Sequence, residues 1–330
     1  MVEIAEQLLE LVRESGLRGG AVLLTGPEGP DGDSIGACLA LQRLLAARAP
    51  GARVDVAGVP GARYGWLPGA AAMVPDAEVG AYDGVVVLDG DKDRLYPPVA
   101  RAFAGARWTG IVDHHRSTDL AGYDVAFFDP AAESTCGMVY TLLKAWGVPL
   151  DADLAAMLYV GIIFDTGGFR YSNTAASTHR IAAELLETGI DHARIMLKVL
   201  VERRLPALRL LARLLNEADF LAGGRLAMAT CTQAMRAELG AEESDLEGVV
   251  DVLQHAEGVD LAVVVVERAS ARVKLSLRSS GRVDVAALAH SLDAGGGGHA
   301  KAAGVVLLAP VADVRARLKA LLVPRLEGLE

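Results

Sequence analysis

Short apolar runs alternate with longer amphipathic ones along the first half of the chain. Runs 21–25, 53–58, 84–88, 108–112 and 123–128 predict strands, and stretches 35–47, 134–146, 154–164 and 178–187 predict helices. Such alternation points to an α/β fold: a mostly parallel sheet flanked by helices on both faces. The first residues add a helix whose apolar face carries Ile4, Leu8, Leu11 and Val12. Segment 58–75 is rich in Gly, Pro and Ala and predicts a long surface connection. Gly189 stops one helix, Asp191 caps the next to about Arg204, and Pro206 opens another to about Glu217. Strands at 225–231, 261–267, 272–278 and 304–308, with helices at 246–255, 284–292 and 311–322, predict a smaller α/β domain. The expected domains are therefore 1–188, a helical connector 189–217, and 218–330.

Several predicted elements end in aspartate. Asp113-His114-His115 follows an apolar strand, and ligands of open α/β sheets bind at the carboxyl ends of strands. Strand 84–88 ends at Asp89, and helix 154–164 runs into Asp165, where the helix dipole disfavours a negative charge unless a cation is near. At the first strand–helix turn, Pro30-Asp31-Gly32-Asp33-Ser34 aims two carboxylates at one place; Asp33 or Ser34 could cap the helix, but a cap accounts for one acid only. Asp31, Asp33, Asp89, His114 and Asp165 are thus five candidate metal ligands. A set so rich in oxygen exceeds a structural zinc site. It suits two manganese or magnesium ions sharing a carboxylate.

The order Asp-Gly-Asp, strand-Asp, Asp-His-His, helix-Asp resembles the DHH phosphoesterases. Gly295 to Gly304, reading GGGGHAKAAG, resembles the Gly-Gly-Gly-His-x-x-Ala-Ala-Gly signature of the DHH-associated domain, and 274–279 resembles that domain's substrate-side strand. Phe169-Arg170-Tyr171-Ser172-Asn173-Thr174 is similar to the oligoribonuclease (nanoRNase) and pAp-phosphatase branch. One position departs. Where the family carries a ligating histidine four residues before the first aspartate, this chain has Pro27. Either Glu28 or water replaces it, or the first metal site is weak, while Asp33, Asp89, His114 and Asp165 complete the second.

The glycine run has a physical use of its own: consecutive glycines can wrap backbone N–H groups around an anion. Gly296, Gly297, Gly298 and His299 are expected to bind substrate phosphate, with Arg278 as a bidentate partner and Arg170 as a further contact implied by the resemblance. His115 is the expected catalytic group, stabilising the phosphoryl charge or protonating the leaving oxygen, and Asp113 the residue that orients a histidine.

Composition narrows the substrate. A formal net charge of −10 argues against a long electrostatic track for polymeric nucleic acid. No apolar stretch reaches membrane-spanning length, and Glu3, Glu6 and Glu10 make the N-terminus a poor signal peptide, so a cytoplasmic protein without a membrane partner is expected. Cys38, Cys136 and Cys231 lack metal spacing and read as reduced core residues. The expected activity is metal-dependent hydrolysis of short RNA, of linear dinucleotides such as pApA, or of pAp, with a homodimer left open. The alternatives are an inorganic pyrophosphatase or single-strand exonuclease sharing the metal domain, or a nucleotide-binding protein that lost activity at Pro27.

Overall fold

A computed structural model describes residues 2–328. The chain forms two compact units, divided between Glu202 and Arg203.

The first unit runs α1 (Val2–Leu17), β1 (Ala21–Thr25), α2 (Gly32–Arg48), β2 (Arg53–Val56), α3 (Gly61–Tyr64), β3 (Gly84–Leu88), α4 (Pro97–Gly105), β4 (Trp108–Asp113), β5 (Val125–Phe128), α5 (Thr135–Trp146), α6 (Ala152–Asp165), α7 (Ala176–Glu187) and α8 (His192–Met196). Its five strands lie in the order β2-β1-β3-β4-β5, every pair parallel. β1, β3 and β4 are buried throughout, as their unbroken apolar character requires. Strand order reverses between β1 and β3, so their carboxyl ends bound the crevice where such sheets place ligands.

α2 and α6 are apolar nearly all round and are buried accordingly. They approach closely because of glycine: a Cβ on Gly36 would stand 2.5 Å from the Met157 carbonyl, and one on Gly161 would collide with the Asp33 carboxylate. That approach brings the start of α2 to the end of α6. The connection after β2 is more than surface chain. It forms α3 and buries Tyr64, Leu67 and Ala70 in the core, because its few apolar side chains cover α2.

The second unit runs α9 (Leu205–Asn216), β6 (Asp219–Leu221), β7 (Leu226–Cys231), α10 (Gln233–Leu239), α11 (Val249–Gln254), β8 (Leu261–Ala269), β9 (Arg272–Ser279), α12 (Val285–Leu292), β10 (Gly297–His299), β11 (Ala302–Leu307) and α13 (Val311–Glu327). Its sheet order is β10-β11-β9-β8-β7-β6, antiparallel except for β7 beside β8. Alternate residues of β7 and β8 face opposite layers: Leu226, Met228, Leu261, Val263 and Val265 meet α12 and α13, while Ala227, Ala229, Ala262 and Val264 meet α9, α10 and α11. The helix expected to run from Asp191 to Arg204 is shorter: Asp191 caps α8 through the Arg194 N–H at 3.0 Å, and a π-helical turn, Leu197–Val201, follows.

Candidate metal centre

Asp31, Asp33, Asp89, His114 and Asp165 converge where β1, β3 and β4 end and α6 stops. Asp31, not Asp33 or Ser34, caps α2: its Oδ1 accepts the N–H groups of Asp33 at 3.0 Å and Ser34 at 3.1 Å. Asp33 sits in the first turn of α2, fully buried. Its Oδ2 accepts the Thr135 N–H at 2.6 Å and its Oδ1 the Cys136 N–H at 2.8 Å, so the positive end of α5 holds this carboxylate. Asp89 follows β3 in a left-handed conformation, φ 62°, rare for a residue with a Cβ. Its N–H donates to the Val112 carbonyl at 3.0 Å, and the Thr135 hydroxyl donates to its Oδ1 at 3.2 Å.

His114 and His115 leave β4 in different environments. Nδ1 of His114 lies 3.2 Å from the Ala132 carbonyl, which only an N–H can satisfy. That leaves Nε2 facing acids: 3.0 Å from Asp165 Oδ2 and 3.7 Å from Asp89 Oδ1. Nε2 is buried and makes no hydrogen bond, so the 3.0 Å separation has the length of one without its direction. Nδ1 of His115 lies 2.7 Å from Oδ1 of the fully buried Asp113, whose Oδ2 accepts the Thr118 hydroxyl.

Ligand atoms of Asp89, His114 and His115 lie within 4.8 Å of one another, as do those of Asp33, His114 and Asp165. His114 belongs to both groups. The acids crowd one another. Burial, then Asp165 and Asp33, pushes Asp31 up to about 7. Burial with Asp165 raises Asp33, and burial with Asp31 and Asp33 holds Asp89 well above the usual carboxylate range. Burial would lower His114, but the Asp165 and Asp89 carboxylates outweigh it and raise the imidazole to about 12. A proton there stands in for a cation. Crowded carboxylates around an imidazole atom with no hydrogen-bond partner fit a divalent ion with oxygen and nitrogen ligands.

Pro27 is buried against Gly90, beside Asp89. Glu28 is exposed; its N–H donates to the Arg94 carbonyl at 2.7 Å, and its carboxylate belongs to neither group. Arg170 is exposed, and its Nε donates to the Gly167 carbonyl at 2.6 Å.

In the second unit, Arg278 donates through Nε to Asp251 Oδ1 at 2.7 Å. Gly297, Gly298 and His299 form the exposed edge strand β10, paired with β11. The backbone is therefore a paired strand and not an anion-wrapping nest. Close approach explains two of its glycines: a Cβ on Gly296 would strike the Ala289 carbonyl, and one on Gly298, at φ 140°, the Ala302 carbonyl.

The start of α5 and the residues just before it escaped sequence reading. Ala132, Thr135 and Cys136 supply the carbonyl, hydroxyl and amides that set His114, Asp89 and Asp33. The available signal was the helix start at 134, whose unpaired amides need an acceptor.

Residues 21–162 match the family model described as the DHH family, N-terminal domain, and residues 208–322 match the DHHA1 domain. The chain is 35% identical over 197 residues to the bifunctional oligoribonuclease and PAP phosphatase NrnA of Thermus thermophilus, a match spanning 59% of this chain and 57% of that protein. It is 25% identical over 285 residues to the Bacillus subtilis protein of the same name, spanning 83% and 85%. Among solved structures, an exopolyphosphatase-related protein from Bacteroides fragilis superposes with a TM-score of 0.85 at 23% identity, covering 99% of this chain and 98% of that one.

Proposed function

We propose, from the premise that this chain belongs to the DHH family and joins its N-terminal domain to a DHHA1 domain, that it is a metal-dependent phosphohydrolase of short oligoribonucleotides, linear dinucleotides such as pApA, and pAp. The observation that carries this reading is His114 Nε2, buried without a hydrogen-bond partner and turned to Asp165 and Asp89. Asp33, Asp89, His114 and Asp165 would hold one ion, manganese or magnesium. Asp31 and Asp89 would hold a second, weaker one. Bound ions of this kind supply a Lewis acid and lower the pKa of water towards neutrality.

The rest of the chemistry belongs to the chain. Hydrolysis forms one P–O bond to water and breaks another to the departing oxygen. Asp113 fixes the His115 ring through Nδ1, so Nε2 is the atom that gives the departing oxygen its proton. Arg170, anchored through Nε, offers its terminal nitrogens to a phosphate. In the second unit, Arg278 and His299 would supply further contacts to phosphate. The named activities of the NrnA relatives support this substrate range. Three buried, unpaired cysteines suit a reducing cytoplasm. Among the described residues no helix is long and apolar enough to cross a membrane.

A length series of 5′-labelled RNA tests the reading. Dimers and trimers should be hydrolysed in the presence of manganese, with rates falling steeply towards twenty-mers. Equal rates at all lengths would refute the short-substrate claim, and no turnover with any divalent ion would refute the enzyme.

A further inference from the structure

Asp165 is followed by a backbone segment of unusual geometry. Gly167, Gly168 and Phe169 adopt φ of 57°, 68° and 67° in succession. Phe169 carries a Cβ in this left-handed region, a conformation that costs energy and persists where surrounding contacts impose it. Those contacts centre on Thr166, which is fully buried. Its hydroxyl donates to the Ile162 carbonyl at 2.6 Å and accepts the Phe169 N–H at 3.1 Å, and its carbonyl accepts the N–H groups of Arg170 at 2.9 Å and Tyr171 at 3.0 Å. Asn173 closes the segment, its Nδ2 donating to the Asp165 carbonyl at 3.1 Å and the Glu133 carbonyl at 3.0 Å.

The fold of this segment sorts its side chains. Phe169 turns inward and stacks on His179 at 5.0 Å between centroids. Arg170 and Tyr171 turn outward. The Tyr171 ring lies over Gly167, where a Cβ would stand 2.5 Å from its Cζ, so only glycine admits the ring. Tyr171 is nevertheless 44% exposed. The Arg170 guanidinium lies 5.9 Å from the ring centroid. An exposed aromatic ring is thus seated on backbone two residues from Asp165, beside an arginine whose Nε is already fixed.

We propose that Tyr171 is a base-stacking platform: its exposed ring receives the nucleobase of the nucleotide whose phosphate reaches the Asp165 centre, while Arg170 pairs with a phosphate oxygen. Stacking tolerates any base, because every base has a π-face. The site would therefore select nucleotides over bare phosphate esters without selecting sequence. The phosphohydrolase reading enters only in naming the ligand.

Equilibrium binding of adenosine 5′-monophosphate and of ribose 5-phosphate to the manganese-loaded protein tests the platform, because the two differ by the base alone. The unmodified protein should bind the nucleotide more tightly. Tyr171→Ala should weaken nucleotide binding roughly 5- to 100-fold, leave ribose 5-phosphate binding unchanged and keep the metal content. Tyr171→Trp should retain nucleotide binding, which guards against loss through misfolding. Unchanged nucleotide binding in Tyr171→Ala, equal weakening of both ligands, or no preference for the nucleotide in the unmodified protein would each overturn the proposal. A base-dependent loss in a protein that hydrolyses no RNA would instead leave the platform standing and remove the phosphohydrolase reading.

Discussion

Nε2 of His114 stands 3.0 Å from Oδ2 of Asp165 without a hydrogen bond between them. Because Ala132 holds the other ring nitrogen, the imidazole cannot turn to find a partner without losing one. Without an ion the imidazole faces these acids only as a protonated ring; with one, its Nε2 is placed as a metal ligand.

His114→Ala should therefore remove the tighter ion, which His114 would hold with Asp33, Asp89 and Asp165. Asp89→Ala should remove more metal than any other single ligand substitution and should abolish turnover, because Asp89 would serve both ions. Elemental analysis of the folded variants decides this. Full metal content in His114→Ala would show that the ions lie elsewhere.

The centre was legible where a strand or helix ends in a ligand: Asp89 after β3, His114 after β4 and Asp165 at the end of α6 follow from local pattern alone. The division of labour between Asp31 and Asp33 was not. Asp33 receives amides 102 and 103 residues away, and no local pattern distinguishes it from a helix cap. The same limit applies to β10. Three residues, two of them glycine, have little strand propensity, and pairing with β11 decides their conformation. Segment 58–75 reads as surface chain because its interspersed Gly58, Pro60, Gly61, Gly65, Pro68, Gly69 and Pro75 mask the buried Tyr64, Leu67 and Ala70.

The crowded acids make the metal-free protein sensitive to pH in a definite direction. Asp31, Asp33 and Asp89 have folded-state pKa values above the ordinary 3.8, Asp31 at about 7. Between pH 3.8 and about 7 the native state thus binds more protons than the unfolded chain, and stability from these groups falls as pH rises. His114, raised to about 12 from 6.5, acts in the same direction above pH 6.5. Melting of the metal-free protein should drop by several degrees between pH 5 and pH 8. Manganese binds the deprotonated acids, so its stabilising effect should grow over the same interval. A metal-free melting temperature that rises with pH would contradict the charge crowding described.

In the second unit, Arg278→Ala and His299→Ala should raise KM while leaving metal content unchanged. Arg278 is held by Asp251 at 2.7 Å, which presents its guanidinium in a fixed orientation. A lost charge-assisted bond to substrate costs about 1.5–3 kcal/mol, or roughly 10- to 150-fold in KM. Asp251→Asn should give a smaller rise, because Arg278 keeps its charge and loses only its support. Steady-state kinetics on a dinucleotide separates the three. An unchanged KM in both truncations would place substrate recognition outside β9 and β10.

Pro27 bears on how many ions bind. It packs on Gly90 next to Asp89, and a proline side chain offers no ligand atom. Glu28, the nearest acid in sequence, is exposed and belongs to neither ligand group. Asp31 spends one carboxylate oxygen on the cap of α2, which leaves the other for a metal. An ion beside Asp31 and Asp89 would then have few protein ligands and many waters, whereas one beside Asp33, Asp89, His114 and Asp165 would have four. Calorimetric titration of the metal-free protein with manganese should show one tight and one weak site. Turnover should follow occupancy of the weak one. Pro27→His should tighten that site alone, provided the imidazole fits over Gly90; Glu28→Gln should change neither. Two equally tight sites in the unmodified chain would mean that another residue completes the first set, and a loss of the weak site in Glu28→Gln would identify it.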